Sequence, residues 1–391
     1  MKLLSTEKKN QVLQTMIHLL DQERERIIAA NQQDLDAFQR EDQALYDRLI
    51  VDDKKVDDMI RSVREVMEQE DPVGRVKSER VLDTGLRITN RTAPFGTIMI
   101  IYESRPDVTI EAAVVAFKAN NKILLKGGKE AIRSNEVLVD LWHQALVQHD
   151  LEPGWISLLT LDRQATQDFL KNPDQKLDLI VPRGGERLID FVKQYATCPV
   201  LVSGRGNNFL YIDENVDWDK AIRVILNAKT DKISACNALD KVLINKNATG
   251  LEDKYRQLID SLENQGVEVV IPGNGQTESD NIWYEEFLAM KILIDFVDNV
   301  EEAINRINTY SGGHSTAILT ENNETATQFM EQVDSAAVYH NASTRFTDGG
   351  QMGVGAELAI STDKLHHRGP LGLEQLVTNK YYVYGDGHIR D

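Results

Sequence analysis

Cys236 is the residue of this chain best suited to attack a carbonyl carbon. It lies in Ser234-Ala235-Cys236-Asn237-Ala238, between a helix-like run from Trp218 to Lys229 and a strand-like run from Lys241 to Asn245. The thiolate is the reactive form, so a site that uses it must lower its pKa or offer it a very electrophilic carbon. Taken alone, a cysteine among small residues reads more often as a small buried hydrophobe. Cys198, in Ala196-Thr197-Cys198-Pro199-Val200 at the entry to a strand, has that structural character.

Three loops offer chemistry for anions. Pro182-Arg183-Gly184-Gly185 follows an apolar strand and opens a helix, where glycines let backbone N–H groups approach an anion at the positive helix end. An ordinary strand-to-helix turn reads the same way. Lys126-Gly127-Gly128-Lys129 has the same setting. Lys126 could bond a ribose or phosphate, and Lys129 with Arg133 could hold an adenosine 2′-phosphate, which favours NADP over NAD. Isolated lysines are more often solvated surface. Asn341-Ala342-Ser343-Thr344-Arg345-Phe346-Thr347-Asp348-Gly349-Gly350 places two hydroxyls and a guanidinium within three positions. That set suits a phosphate or carboxylate, or a capped surface turn. Gly204-Arg205-Gly206 is no dinucleotide fingerprint, because it lacks the third glycine and precedes a strand.

The elements that must position these residues alternate regularly. Strands are expected at Ile98–Tyr102, Lys122–Leu125, Ile156–Leu159, Leu179–Val181 and Pro199–Val202, with helices at Val108–Lys118, Lys129–Gln148, Arg163–Lys171 and Glu186–Tyr195. Short apolar runs between amphipathic helices imply βαβ units and a parallel, doubly wound Rossmann-like sheet. A second series follows, with strands at Phe209–Ile212, Lys241–Ile244, Val267–Val270, Ile292–Ile294, Thr316–Leu319 and Ala337–Tyr339. The first seventy residues carry apolar positions such as Val12, Met16, Leu19 and Leu20 at helical spacing, with Ser5 as N-cap. Residues 80–93 read as a hairpin. The aromatic tail Lys380-Tyr381-Tyr382-Val383-Tyr384 reads as an isolated strand that needs a partner, such as the hairpin of a neighbouring subunit.

Composition narrows the class. The 391 residues are 41% hydrophobic, enough for two or three domains. A net charge of −18 repels nucleic acid and anionic membranes, so neither is expected as a partner. Two cysteines with no paired spacing fit a reducing cytoplasm. No signal peptide or membrane span is legible, and a soluble cytoplasmic protein is expected. The eight histidines show no metal spacing, and His366-His367 reads as a loop feature, so no metal is expected.

In this order, Tyr102-Glu103-Ser104-Arg105-Pro106, Leu125-Lys126-Gly127-Gly128-Lys129-Glu130-Ala131, Pro182-Arg183-Gly184-Gly185, Cys236-Asn237-Ala238-Leu239, Ser311-Gly312-Gly313-His314, Asn341 to Gly350 and Leu365-His366-His367-Arg368-Gly369-Pro370-Leu371-Gly372-Leu373-Glu374 carry a resemblance. From about Arg80 to the C-terminus the chain resembles the gamma-glutamyl phosphate reductases, also called glutamate-5-semialdehyde dehydrogenases, of the aldehyde dehydrogenase superfamily. Any one of these motifs is weak; several in the right order are strong.

The resemblance implies an α/β, aldehyde-dehydrogenase-like fold with a Rossmann-like cofactor domain, an α/β catalytic domain and a β oligomerisation element. On that pattern residues 1–205 bind NADP, with an oligomerisation hairpin near 78–95 and a return segment near 346–370. Residues 206–345 carry the nucleophile, and 371–391 form a C-terminal oligomerisation strand. Cys236 would be the nucleophile, with Ser104 helping to stabilise the oxyanion. Lys126, Gly127, Lys129, Arg183, Gly184, Gly185 and Glu286 would serve the cofactor, NADPH rather than NAD. Arg105, Asn237, His314, Asn341, Ser343, Thr344 and Arg345 would serve the substrate. The implied activity is NADPH-dependent reduction of L-glutamyl 5-phosphate to L-glutamate 5-semialdehyde and phosphate through a Cys236 thioester, the second step of proline biosynthesis from glutamate. A homo-oligomer, dimer or larger, and a glutamate 5-kinase partner accompany that expectation. Asn208-Phe209 departs from the family pattern, which has Cys-His there. Lys126, where arginine is commoner, and Asp231 to Ala235 depart as well.

One absence bears on direction. An oxidising aldehyde dehydrogenase needs a base to activate water against its thioester, and Val202-Ser203-Gly204-Arg205-Gly206 carries no carboxylate. Phosphate is already a good leaving group, so a reductase needs none there. Two other readings stay open: an oxidative aldehyde dehydrogenase acting on another small aldehyde, and a non-catalytic nucleotide-binding member.

Overall fold

The alternating runs fold into two units in the computed structural model, which describes residues 2–38, 43–272 and 281–390. The first unit comprises Met1–Val202, Gly353–Ala359 and Leu371–Asp391, and the second Ser203–Met352 and Ile360–Pro370.

The first unit begins with helices α1 (Thr6–Gln22), α2 (Arg24–Ala37), α3 (Gln43–Leu49) and α4 (Asp53–Glu68). The Ser5 side chain caps α1 by accepting from the Lys8 N–H at 3.2 Å. Val12, Met16 and Leu20 are buried at the expected spacing. Strands β1 (Val76–Val81) and β2 (Arg87–Pro94) form the hairpin, and β3 (Thr97–Tyr102), β4 (Lys122–Lys126), β5 (Ile156–Leu158) and β6 (Leu179–Arg183) form a parallel sheet in the order β5-β4-β3-β6. Helices α5 (Pro106–Lys118), α6 (Ile132–Val147), α7 (Arg163–Lys171) and α8 (Glu186–Tyr195) connect or follow these strands. Nearly every α5 residue is buried, as its run of Val, Ile, Ala and Phe requires.

The second unit holds a six-stranded parallel sheet: β7 (Asn208–Ile212), β8 (Leu239–Asn245), β9 (Glu268–Val270), β10 (Lys291–Val297), β11 (Ser315–Leu319) and β12 (Ala337–His340), ordered β12-β11-β7-β8-β10-β9. Its helices are α9 (Trp218–Thr230), α10 (Leu251–Asn264), α11 (Asn281–Tyr284), α12 (Val300–Tyr310) and α13 (Asn323–Gln332). Strands β7, β8 and β11 are buried at every residue and lie inside the sheet, which accounts for their apolar runs Phe209–Ile212, Val242–Ile244 and Ala317–Leu319. The β7–β8 ladder pairs Asn208 with Leu239 and Phe209 with Lys241, so Asp240 is an extra residue, a bulge at the foot of the Cys236 turn.

The structure corrects three expectations. The tail strand, β15 (Val377–Tyr384), is not isolated: it pairs antiparallel with β2 of the same chain, from Val377 opposite Pro94 to Tyr384 opposite Arg87. Pro199–Val202 makes only one bridge, Val200 to Ile180, because the run peels off the sheet edge after a single rung. Of the return segment only Gly353–Ala359 joins the first unit. Residues 360–370 fold back on themselves, with β13 (Ile360–Ser361) antiparallel to β14 (Gly369–Pro370), and so stay with the second.

Candidate active site

In the second unit, Cys236 follows α9 and a short turn. The Ala235 N–H donates to the Lys232 carbonyl at 3.1 Å, and the Ala238 N–H to the Ala235 carbonyl at 3.0 Å. Cys236 therefore occupies the second position of a four-residue turn and is partly exposed. No disulfide links it to Cys198. Buried Asn208 fastens this turn to the sheet. Its Nδ2 lies within bonding distance of the carbonyls of Gly206 (3.0 Å), Cys236 (2.8 Å) and Ala238 (2.7 Å), and its Oδ1 accepts from the Ser315 N–H at 3.0 Å. Two N–H bonds thus serve three acceptors. Asn208 consequently puts a polar clamp on the nucleophile turn.

Gly206 explains why this approach needs glycine: a Cβ there would collide with the Cys236 carbonyl and the Glu286 carboxylate. Glu286 is thereby brought to the edge of the nucleophile turn within the same unit.

Asn237 fastens the turn from the other side. Its Nδ2 donates to the carbonyls of Arg345 (3.2 Å) and Thr347 (2.9 Å), its Oδ1 accepts from Arg345 Nη1, and its own carbonyl accepts from the Thr344 hydroxyl at 2.7 Å. Arg345 Nε pairs with Asp231 at 3.0 Å. Ser343 Oγ accepts from the Arg345 N–H at 3.3 Å. The Thr344 hydroxyl and the Arg345 guanidinium read as anion ligands are thus brought to Asn237, the residue after Cys236, but the Thr344 proton is engaged by the Asn237 carbonyl. Asn341, at φ 54°, uses its side chain to join β11 to the loop after β12: Oδ1 accepts from the Thr320 N–H and Nδ2 donates to the Thr320 carbonyl.

His314 is 1% exposed. Burial pushes its imidazole down to about 4, so it is neutral at pH 7. Its Nδ1 meets the Ser315 hydroxyl at 2.7 Å, Ser315 donates to Thr347 at 2.7 Å, and Thr347 meets the Tyr339 hydroxyl at 2.8 Å. Nε2 of His314 is buried and has no hydrogen-bond partner among the described residues.

The first unit carries the other predicted residues. Lys126 ends β4, and burial lowers its pKa against the opposing pull of Glu130 and Asp162; its Nζ donates to the Gly127 carbonyl at 3.0 Å. A Cβ at Gly127 would strike Asn135 and the Tyr102 ring. Lys129 is exposed, and Arg133 pairs with buried Asp34 at 3.4 Å. Gly184 and Gly185 are exposed at the start of α8, where the Gly185 N–H donates to the Glu103 carboxylate at 3.2 Å. Arg183 donates to the Leu358 carbonyl. Ser104 sits in left-handed backbone at φ 40°, and both its N–H and its hydroxyl donate to Glu130 Oε1 at 2.7 Å. Arg105 pairs with Asp107, whose carboxyl burial would raise but which Arg105 and Lys55 together hold down at about 2.

Sequence reasoning missed Asn208, Glu103, Glu130, Asp231 and Asp240 as members or neighbours of these loops. Asn208, at the head of an apolar strand, and Asp231 stand out in the sequence only as departures from the family pattern. At Cys198 burial, aided by Asp178, pushes the thiol pKa up. Among the described residues no group of three or more His, Cys, Asp or Glu could hold a metal, and no helix is long and apolar enough to cross a membrane.

The profile of the aldehyde dehydrogenase family matches residues 1–268 and 273–356. The chain is 42% identical to gamma-glutamyl phosphate reductase 2 of Bacillus licheniformis over 99% of its length and 93% of that protein's. The crystal structure of gamma-glutamyl phosphate reductase from Thermotoga maritima, 40% identical, superposes with a TM-score of 0.93 over 99% of this chain and 95% of that one. An acetylating aldehyde dehydrogenase from Geobacillus thermoglucosidasius shares the fold at 16% identity, with a TM-score of 0.72 over 99% of this chain and 94% of that one. The chain belongs to the aldehyde dehydrogenase family, within its gamma-glutamyl phosphate reductase group.

Proposed function

We propose that this enzyme reduces L-glutamyl 5-phosphate to L-glutamate 5-semialdehyde and phosphate, a step of proline biosynthesis. The observation that carries the reading is the partly exposed Cys236, held in a turn whose next residue, Asn237, accepts from the Arg345 guanidinium, in a chain about 40% identical to reductases of that name.

Cys236 attacks the acyl carbon as the thiolate. The carbonyl π-bond opens, and its oxygen takes the negative charge next to the Cys236 backbone N–H; one such donor is typically worth about 3–4 kcal/mol. The carbon–oxygen bond to phosphorus then breaks, phosphate leaves, and a thioester remains. Arg345 exchanges Asp231 for the substrate's phosphate or carboxylate, a charge-assisted bond of the same kind. A nicotinamide dinucleotide in its reduced form, when bound, supplies the hydride that converts the thioester to a hemithioacetal. Collapse breaks the carbon–sulfur bond, returning the thiolate and freeing the aldehyde. His314 stays neutral and presents Nε2 as a hydrogen-bonding atom for substrate. Ser104 joins as an oxyanion donor only where its hydroxyl leaves Glu130.

The residues of the first unit fit a dinucleotide. The α8 N-terminus already takes a carboxylate oxygen at the Gly185 N–H, so it accepts anionic oxygen. Lys126 and Gly127 would serve the ribose or phosphate, with Arg183, Gly184 and Gly185 at the pyrophosphate; Glu286, a residue of the second unit, would serve the nicotinamide ribose. Lys129 and Arg133 favour NADP; the fold neighbour GapN of Methanocaldococcus jannaschii, 15% identical, is described with NADP bound. A cytoplasmic homo-oligomer, with the β1-β2-β15 sheet as its contact, and substrate hand-over from a glutamate 5-kinase complete the reading.

The test is oxidation of glutamate 5-semialdehyde with each dinucleotide, with and without phosphate. Phosphate-dependent formation of the acyl phosphate, faster with NADP, is expected. Acid formation without phosphate would refute the reading and favour an oxidative dehydrogenase.

A further inference from the structure

Buried charges at the start of β8 and on the helix before it need a reason, because each costs several kcal/mol unless it is paired and hydrogen-bonded. Lys229, Asp240 and Lys241 are 0%, 2% and 0% exposed. Lys229 Nζ pairs with Asp240 Oδ1 at 2.9 Å. Asp240 Oδ2 accepts from the Phe287 N–H at 2.8 Å. Lys241 Nζ donates to the Glu285 carbonyl at 2.5 Å and lies 3.7 Å from the centre of the Phe287 ring.

The two backbone groups engaged here flank one residue. The Glu285 carbonyl belongs to the peptide unit before Glu286, and the Phe287 N–H to the peptide unit after it. Residues 285–288 lie in neither helix nor strand, so these groups have no ladder and must find side-chain partners. In a regular strand, adjacent residues 240 and 241 would point to opposite faces. The bulge at Asp240 breaks that alternation and lets both reach the same segment. Bulges are rare in parallel ladders, and this one immediately follows the nucleophile turn. Both peptide planes around Glu286 are thereby pinned to β8. Its carboxylate is left against Gly206, beside the Cys236 carbonyl.

We infer that Asp240 and Lys241 are positioning residues that bracket Glu286 and set its carboxylate in register with the nucleophile turn for the dinucleotide. The inference rests on the reading above in which Glu286 serves the nicotinamide ribose. Lys229 balances the Asp240 charge and keeps the bracket neutral enough to bury.

The test compares Lys241→Met, Asp240→Asn and Glu286→Gln in the full-length enzyme. NADPH affinity would be read by fluorescence titration, KM and kcat by the phosphate-dependent assay, and backbone protection at 285–288 by hydrogen exchange. Glu286→Gln should weaken NADPH binding about 10-fold or more. Lys241→Met should weaken it roughly 3–10-fold, raise the KM for NADPH more than it lowers kcat, and cost protection at 285–288. Asp240→Asn keeps an acceptor for the Phe287 N–H and should retain most NADPH affinity. In the double variant the Lys241 change should add little to Glu286→Gln, because both act through one carboxylate. If Glu286→Gln weakens binding but Lys241→Met changes neither affinity nor protection, the bracket is refuted while the ribose reading stands. If Glu286→Gln leaves affinity intact, the ribose reading is refuted, and the bracket's purpose with it. Additive losses in the double variant would also overturn the inference.

Discussion

The loops around Cys236 and those proposed for the dinucleotide are held in different ways. The Cys236 turn is tied by neutral side chains to backbone: Asn208 from one side, and Asn237 and Thr344 from the other. Such bonds are buried and costly to leave unmade, so they hold one geometry. In the first unit, at and near the loops proposed for the dinucleotide, the exposed Gly185 N–H and the buried Ser104 hydroxyl meet the chain's own carboxylates, Glu103 and Glu130. These partners are charged, and an incoming phosphate can replace Glu103 like for like. A nucleophile that never leaves is built in; a ligand that must come and go meets contacts that can be exchanged.

The comparison can be broken at several points. Cys236→Ser should lower turnover by roughly 10⁴-fold or more while leaving NADPH binding within about two-fold. Steady-state rates and a fluorescence titration would show it, and retained turnover would end the covalent reading. Arg345→Lys loses the forked contact with Asp231 and Asn237, and should raise the KM for phosphate about 10–100-fold in the reverse assay. Asn208→Asp turns a carboxylate toward three carbonyls. It should cost about 2–4 kcal/mol of stability by urea unfolding and slow Cys236 alkylation, whereas the same change far from the turn should not touch alkylation.

A pH series separates the halves further. The folded chain keeps His314 neutral down to about pH 4, whereas the unfolded chain protonates it near 6.5. Between these values the unfolded state binds more protons, so stability should rise with pH across that window and fall as pH drops toward 4. His314→Gln should remove about 2–3 kcal/mol of that stability difference across the window, measured by urea unfolding at both ends. The smallest effect concerns Glu103→Gln, which removes the negative charge competing at the α8 N-terminus and should tighten NADPH binding about 2–5-fold. Weaker binding would show that Glu103 helps shape the loop rather than merely occupying it.

Much of the fold was legible because the central strands are apolar on both faces. Phe209–Ile212, Lys241–Ile244 and Thr316–Leu319 need no neighbours to be recognised as buried strands. Cys236, Arg345 and the glycine turns were legible as chemistry, since residue type and loop position suffice to suggest it. What was hidden depends on pairing between distant segments. The partner of the aromatic tail is a hairpin far back in the chain, and nothing local marks the choice. The Asp240 bulge is a mismatch in register between two strands, so neither strand announces it alone. Asp231 and Glu103 look like ordinary surface acids until the fold brings a guanidinium or a helix end to them.

The β2 hairpin strand has one neighbour made just before it and the other, β15, made only after the whole second unit has been threaded through. During synthesis that edge waits open while the intervening chain emerges. Closing so long a loop is slow, and an unpaired strand is sticky in the meantime. Late zipping of the tail onto the waiting hairpin would then be the event that seals the protein, and truncations there should harm yield before they harm chemistry.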